Sequence, residues 1–152
     1  MKEIRIRTAS QSDQAAITTL VHSERLNPYD LDWRRFVVAT DAGGIVGAVQ
    51  LRRHSDGSRE LGSLVVRREA RRYGVASRLI DALLATVKSR VFMITGSAFA
   101  AHYARWGFRR ITPLDAPAPI VRNYCFGQLM GILSFIAWRR PKRLAVLDRP
   151  SC

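Results

Sequence analysis

The segment from Leu64 to Lys88 constrains the fold more than any other. Leu64-Val65-Val66 reads as the end of a buried strand, and Arg67-Arg68-Glu69-Ala70-Arg71-Arg72-Tyr73-Gly74 is a basic turn. From Val75 to about Lys88 the apolar positions Leu79, Ile80, Leu83, Leu84 and Val87 recur at helical spacing. A strand that turns straight into an amphipathic helix needs a sheet to receive the helix's apolar face, which sets an α/β class. The first turn of such a helix leaves backbone N–H groups unpaired and carries partial positive charge, a setting suited to a pyrophosphate. Gly74 and Ala76 keep side chains small where an anion would approach, and five arginines between Arg67 and Arg78 add countercharge. The chain has no Gly-x-x-x-x-Gly-Lys-Ser/Thr and no Gly-x-Gly-x-x-Gly, so ATP hydrolysis and dinucleotide redox chemistry lose support.

Elements before and after this segment arrive at short intervals. Ile4 to Arg7 alternates like a first strand. Ser12 and Asp13 cap a helix with Ala16, Ile17, Leu20 and Val21 on one face, which Asn27-Pro28 ends; Tyr29 to Trp33 reads as a loop or a short second helix. Turn signals at Asp41-Ala42-Gly43-Gly44 and Ser55-Asp56-Gly57-Ser58 separate three antiparallel strands, Arg35–Thr40, Ile45–Arg52 and Glu60–Arg67. Val91–Thr95 is a short buried strand, Phe99–Trp106 a helix stopped by Gly107, and Phe108–Ile111 another strand. Pro113, Pro117 and Pro119 space out a connection, Tyr124–Trp138 forms one apolar helix ended by Arg139-Arg140-Pro141, and Leu144–Leu147 is the last strand. With 152 residues, 47% of them apolar, this is one domain with a real core, 1–152. No secretion signal is read at its start, so a cytoplasmic location is expected. Cys125 and Cys152 are expected to be free thiols.

A second motif reinforces the first. Arg71-x-x-Gly74-x-Ala76 resembles the coenzyme A pyrophosphate signature of the GNAT acetyltransferase superfamily, Arg/Gln-x-x-Gly-x-Gly/Ala. Ser97-Ala98-Phe99-Ala100-Ala101-His102-Tyr103-Ala104-Arg105-Trp106-Gly107-Phe108 is similar to its later signature, Asn-x-x-Ala-x-x-Phe/Leu-Tyr-x-x-x-Gly-Phe. The order of elements from Ile4 to Ile111 also follows that superfamily: strand, two helices, three strands, helix, strand, helix, strand. The resemblance implies the acyl-CoA N-acyltransferase fold, a mixed and mostly antiparallel sheet flanked by helices. The connection and apolar helix over 113–143, ahead of the last strand, depart from it.

The resemblance also implies roles. Acetyl-CoA is the co-substrate, with no metal, and its pyrophosphate falls to Arg71, Arg72, Tyr73, Gly74, Val75, Ala76 and Ser77. Its pantetheine arm pairs with the fourth strand, where a backbone N–H near Val65 or Val66 faces the thioester oxygen. Tyr103 occupies the general-acid position, where a phenol protonates the leaving thiolate. An unperturbed alkylamine is neutral in only about one molecule in a few thousand at pH 7, so a base is needed. Glu60 stands where many relatives carry one; its plainer role is an ion pair with Arg52 or Arg59. Ser97 replaces an asparagine that contacts the cofactor arm, and an N-cap for the following helix is its plainer role. His102 points about 100° from Tyr103 around an α-helix, away from any partnership. Glu24, Asp30 and Asp32 fall on the acceptor side, where solvated loop charges are the expected reading.

The implied function is transfer of an acetyl group to a primary amine, of a small molecule or a peptide. A formal charge of +13 and a pI near 11.3 leave open a basic nucleic-acid-binding or noncatalytic coenzyme A-binding domain. The arginine pairs are dispersed rather than gathered on one helix, which speaks against a specific nucleic-acid partner. For 124–143 a membrane-surface contact and a homodimer interface remain alongside a core helix.

Overall fold

A computed structural model describes residues 3–138 and 143–152, and for 133–138 the backbone only. Its strands form a seven-stranded mixed sheet flanked by helices. The chain divides into two compact units, Met1–Arg52 with Leu61–Val87, and Arg53–Glu60 with Lys88–Cys152.

The first unit holds β1 (Arg5–Thr8), α1 (Gln14–Ser23), β2 (Phe36–Asp41), most of β3 (Gly44–Arg53) and of β4 (Arg59–Val66), and α2 (Val75–Leu84). Its strands run in the order β1-β2-β3-β4. β1 pairs antiparallel with β2, Arg5 facing Thr40, and β2 with β3, Val37 facing Val49. A two-residue turn at Ala42-Gly43 joins β2 to β3, with the Gly43 N–H donating to Asp41 Oδ1 at 2.7 Å and Gly44 at φ 112°. Ile17, Leu20 and Val21 of α1 pack on Phe36, Val38, Ile45, Ala48 and Val65. Each of these is at most 5% exposed, and burying an aliphatic side chain this fully contributes about 1.5–3 kcal/mol. α2 buries Val75, Leu79, Ile80, Leu83 and Leu84, the face its spacing predicts.

Three details go beyond the sequence reading. Between α1 and β2 the loop alternative holds: the chain passes through a loop with Asp30 at φ 59° into a 3-10 turn at Trp33–Arg35, where Asp32 accepts from the Arg34 N–H at 3.0 Å, so the second helix of the family's element order is reduced to that turn. α2 ends at Leu84 rather than Lys88, because the Val87 N–H closes a tight turn on the Leu84 carbonyl at 3.1 Å; Val87 stays buried. α1 is capped at Asp13 without a side-chain bond; Asp13 instead accepts from the Ser10 N–H at 2.7 Å and from Arg7 at 2.7 and 3.0 Å.

The second unit carries β5 (Val91–Gly96), a 3-10 helix (Ser97–Trp106), β6 (Arg109–Ile111), α3 (Ala118–Trp138) and β7 (Leu144–Arg149). β7 lies between β5 and β6, antiparallel to both, with Met93 and Arg110 each facing Leu147. Fully buried Asp148 is gripped by Arg90 at 2.7 and 3.0 Å and by Arg109 at 3.3 Å. α3 begins earlier than its uncharged run implies, since Pro119 is tolerated in a first helical turn. Ile120 packs with Phe92 and Val146, and a Cβ on Gly127 would stand 2.8 Å from Leu144 Cδ1. Cys125, Phe126, Leu129, Met130 and Ile132 are exposed, so α3 is not wholly a core helix. No helix among the described residues is long and apolar enough to cross a membrane. The basic residues Arg139–Lys142, part of the expected surface contact, lie outside the described residues.

Arg7 holds the Asp13 carboxyl well below its ordinary value of 3.8. A depressed carboxylate contributes stability above that value and loses it as pH falls through the lower folded one. Asp13→Asn is expected to cost about 1 kcal/mol near neutral pH, ~2–4 °C in melting temperature. Melts at lower pH should show the gap to wild type closing below 3.8.

Candidate active site

The first unit places the turn between β4 and α2. Arg68–Ala70 make a 3-10 turn, Arg71 is extended, and Arg72 and Gly74 are left-handed at φ 70°. The Gly74 carbonyl receives the Arg78 N–H at 3.1 Å and so starts α2. Gly74 is exposed, Ala76 and Ser77 are half-buried in the first turn, and Val75 is buried as an apolar anchor. A Cβ on Gly74 would meet no atom within 4 Å, so the backbone there is open to approach. Arg72 and Tyr73 are exposed, whereas the Arg71 guanidinium is engaged: Nε donates to the Val66 carbonyl at 2.9 Å and Nη2 pairs with Glu24 at 2.8 Å. Arg71 therefore ties the turn to the strand it leaves.

β4 is not a regular strand. Ser63 sits at φ 51°, a conformation that costs an L-residue of this kind about 1 kcal/mol or more. Its hydroxyl lies 2.9 Å from the buried Gln50 amide and accepts from Arg52 Nη2 at 3.0 Å, which holds the kink. Past it Val65 and Val66 are both buried, as are consecutive residues of β2 and β3. Nothing in the local sequence marked Ser63 for a left-handed conformation.

A cavity of about 840 Å³ in this unit is lined by Ile4, Val46, Arg67, Ala70, Tyr73 and Arg78, among others. Of the residues singled out from sequence, it takes in Tyr73 and two of the arginines read as countercharge, Arg67 and Arg78.

The second unit places Glu60, Ser97 and Tyr103. Glu60 is 3% exposed, and its Oε2 lies 2.9 Å from His54 Nε2 and accepts from Asn123 Nδ2 at 3.1 Å. Sequence reasoning gave His54 no role in the site. Its place six residues before Glu60, across a short hairpin, was the available signal. Asn123 carried none, because α3 lies far along the chain.

Tyr103 is half-buried, and burial pushes its phenol above the ordinary 10.0, while a hydrogen bond with Thr95 acts the other way. The phenol is thus protonated throughout the neutral range. Its helix is 3-10 rather than α, so Trp106 lies above Tyr103 one turn on, the rings tilted by 40° with centroids 6.0 Å apart. Phe108 packs edge-on at 6.4 Å. His102 makes an edge contact with Tyr103 at 5.7 Å, closer than the α-helical expectation allowed. Ser97 is not the cap: Gly96 fills that position, and Ser97 opens the helix with its N–H on the Arg143 carbonyl at 2.8 Å and its hydroxyl bonded by Arg110. Gly107, at φ 82°, ends the helix as read from sequence.

The three acidic residues expected as solvated charges on the acceptor side each meet an arginine. Glu24 pairs with Arg71, Asp30 with Arg35 at 2.7 Å, and Asp32 with Arg34 at 3.3 Å.

Comparison with known proteins follows the same lines. A family model described as an acetyltransferase (GNAT) domain matches residues 32–110, just over half of the chain. The chain belongs to the GNAT acetyltransferase family. No curated protein sequence matches it. Among solved structures it is similar to N-acetylglutamate synthase from Neisseria gonorrhoeae, complexed with coenzyme A and N-acetyl-glutamate. That likeness has a TM-score of 0.70 at 17% identity and covers all of this chain but 36% of the synthase, so the chain spans about a third of that protein's length. Rv2747 from Mycobacterium tuberculosis, in complex with CoA, matches at TM-score 0.70 and 22% identity over 97% of this chain and 99% of that one. Diaminobutyrate acetyltransferase EctA from Paenibacillus lautus, in complex with L-2,4-diaminobutyric acid and coenzyme A, matches at 0.56 and 16% identity over 70% and 75%. At these identities the likeness is one of fold.

Gly74→Val is expected to destabilise the chain by about 1–2 kcal/mol through left-handed strain alone, the side chain having space. Urea denaturation measures this directly.

Proposed function

We propose that this chain, acting as one domain over 1–152, transfers the acetyl group of acetyl-CoA to a primary amine by direct attack through a tetrahedral intermediate. The observation that carries the reading is the open left-handed backbone at Gly74 at the start of α2, within the turn that matches the family's pyrophosphate signature. Backbone N–H groups from Gly74 to Ser77 and the exposed guanidinium of Arg72 hold the pyrophosphate. Tyr73 borders the same turn, and Arg71 acts by bracing it. The left-handed Ser63 supports a pantetheine arm along the end of β4, because a residue turned out of the extended conformation can free neighbouring backbone groups for a ligand. A Val65 or Val66 N–H then stabilises the oxyanion. Ser97 contributes a hydroxyl toward the cofactor arm.

The amine gives up a proton on the Glu60 side and attacks the acetyl carbon. The C–S bond breaks, and Tyr103 protonates the thiolate. A phenol kept neutral by burial is suited to that step. Acceptors with amino-acid amines are the first to test, since structural neighbours were solved with N-acetyl-glutamate and with diaminobutyric acid.

Calorimetry is expected to show coenzyme A binding that Gly74→Val weakens; absence of binding would remove the reading. Thiol release from acetyl-CoA across a panel of amines should then find an acceptor. Tyr103→Phe is expected to lower kcat by about 10²-fold or more with little change in coenzyme A affinity, and Glu60→Gln to lower it as well.

A further inference from the structure

We propose that His54, oriented by Glu60 and Asn123, is the group that takes the proton from the acceptor amine, an inference that rests on the acetyl-transfer reading above. It begins from one oxygen. Glu60 Oε2 accepts from the Asn123 amide at 3.1 Å and lies 2.9 Å from His54 Nε2. An ionised carboxylate oxygen only accepts, so Nε2 carries a hydrogen. The neutral ring is then the Nε2–H tautomer, and its lone pair is on Nδ1. Oε2 is engaged by two donors, and an imidazole nitrogen is in general more basic than a carboxylate oxygen, so the lone pair that takes a proton is that of His54 Nδ1.

The surroundings hold this arrangement in place. The side chains of His54 and Glu60 are 9% and 4% exposed. The His54 N–H donates to the Ser58 carbonyl at 2.9 Å, and its carbonyl accepts from Gly57 at 3.0 Å, which anchors the ring in the hairpin turn. Asn123 comes from α3, the helix that departs from the family pattern, so that helix supplies the second donor that keeps the carboxylate from rotating. A buried carboxylate bonded to one ring nitrogen fixes the tautomer and stabilises the imidazolium formed when the other nitrogen is protonated. Glu60 and Asn123 are positioning residues on this account.

The step balances. An acceptor ammonium loses one proton to Nδ1, directly or through one water, and His54 becomes an imidazolium beside the Glu60 carboxylate. The free amine forms a C–N bond to the acetyl carbon. The tetrahedral intermediate collapses with loss of the C–S bond, the thiolate takes the Tyr103 proton, and the phenolate takes the second proton from nitrogen. His54 then returns its proton to water, so one proton is released for each amide and thiol formed.

Two measurements test this. Long-range proton–nitrogen NMR of the whole chain is expected to find His54 in the Nε2–H form; an Nδ1–H form overturns the proposal without any variant. In thiol-release assays His54→Ala is expected to lower kcat by about 10²-fold with coenzyme A affinity unchanged, and added imidazole to restore part of it. Asn123→Ala should lower kcat by a smaller factor. A wild type that turns over beside a His54→Ala variant of equal kcat, with Glu60→Gln impaired, returns the base role to Glu60 and overturns the proposal. So does a folded His54→Ala whose loss imidazole does not reverse. A wild type that neither binds coenzyme A nor releases thiol is a distinct result, and it removes the acetyl-transfer reading itself.

Discussion

The tight approach of α2 to the sheet is the constraint on which the first unit is built. A Cβ on Gly47 would lie 3.1 Å from both Leu79 Cδ1 and the Val65 carbonyl, so only glycine fits between helix and strand without displacing them. The residues from Arg67 to Gly74 join that strand to the helix, with left-handed residues at Arg72 and Gly74 and with Arg71 folded back on the Val66 carbonyl. The close packing of α2 thus fixes where its exposed first turn stands in this unit.

Much of this was legible in the sequence, for identifiable reasons. α2 was readable because its apolar positions repeat strictly, and β2 to β4 because glycine and aspartate mark their turns. What escaped was set by tertiary contact. Ser63 takes a left-handed conformation because Gln50 and Arg52 hold its hydroxyl, and local propensity is silent on that. The 3-10 winding of Ser97–Trp106 differs from an α-helix by a hydrogen-bond register that an apolar pattern does not report. The Glu60 site was half visible: the carboxylate by its place at the start of β4 and His54 only by its place across the hairpin, whereas Asn123, on α3, carried no signal.

The arginine surplus also has a more structured meaning than its total suggested. Arg7, Arg34, Arg35, Arg71 and Arg90 each meet a carboxylate of their own unit. Several of these pairs brace connections: Arg7 the entry to α1, Arg71 the turn before α2, and Arg90 the edge of β5 through buried Asp148. Where such a pair is exposed, as Arg34 with Asp32 is, it contributes about 0–1 kcal/mol and its effect is mainly to fix loop geometry. The remaining positive charge gives the chain a general attraction for polyanions.

The winding of the Ser97–Trp106 helix has a metric consequence. A 3-10 helix rises about 2.0 Å per residue against 1.5 Å for an α-helix, so over the six steps from Ser97 to Tyr103 the chain gains about 3 Å of axial reach. It also advances about 20° further at each step, roughly a third of a revolution over the same distance. A tyrosine threaded onto an α-helical template from a distant relative would therefore have its hydroxyl in the wrong place by more than a bond length and on the wrong flank.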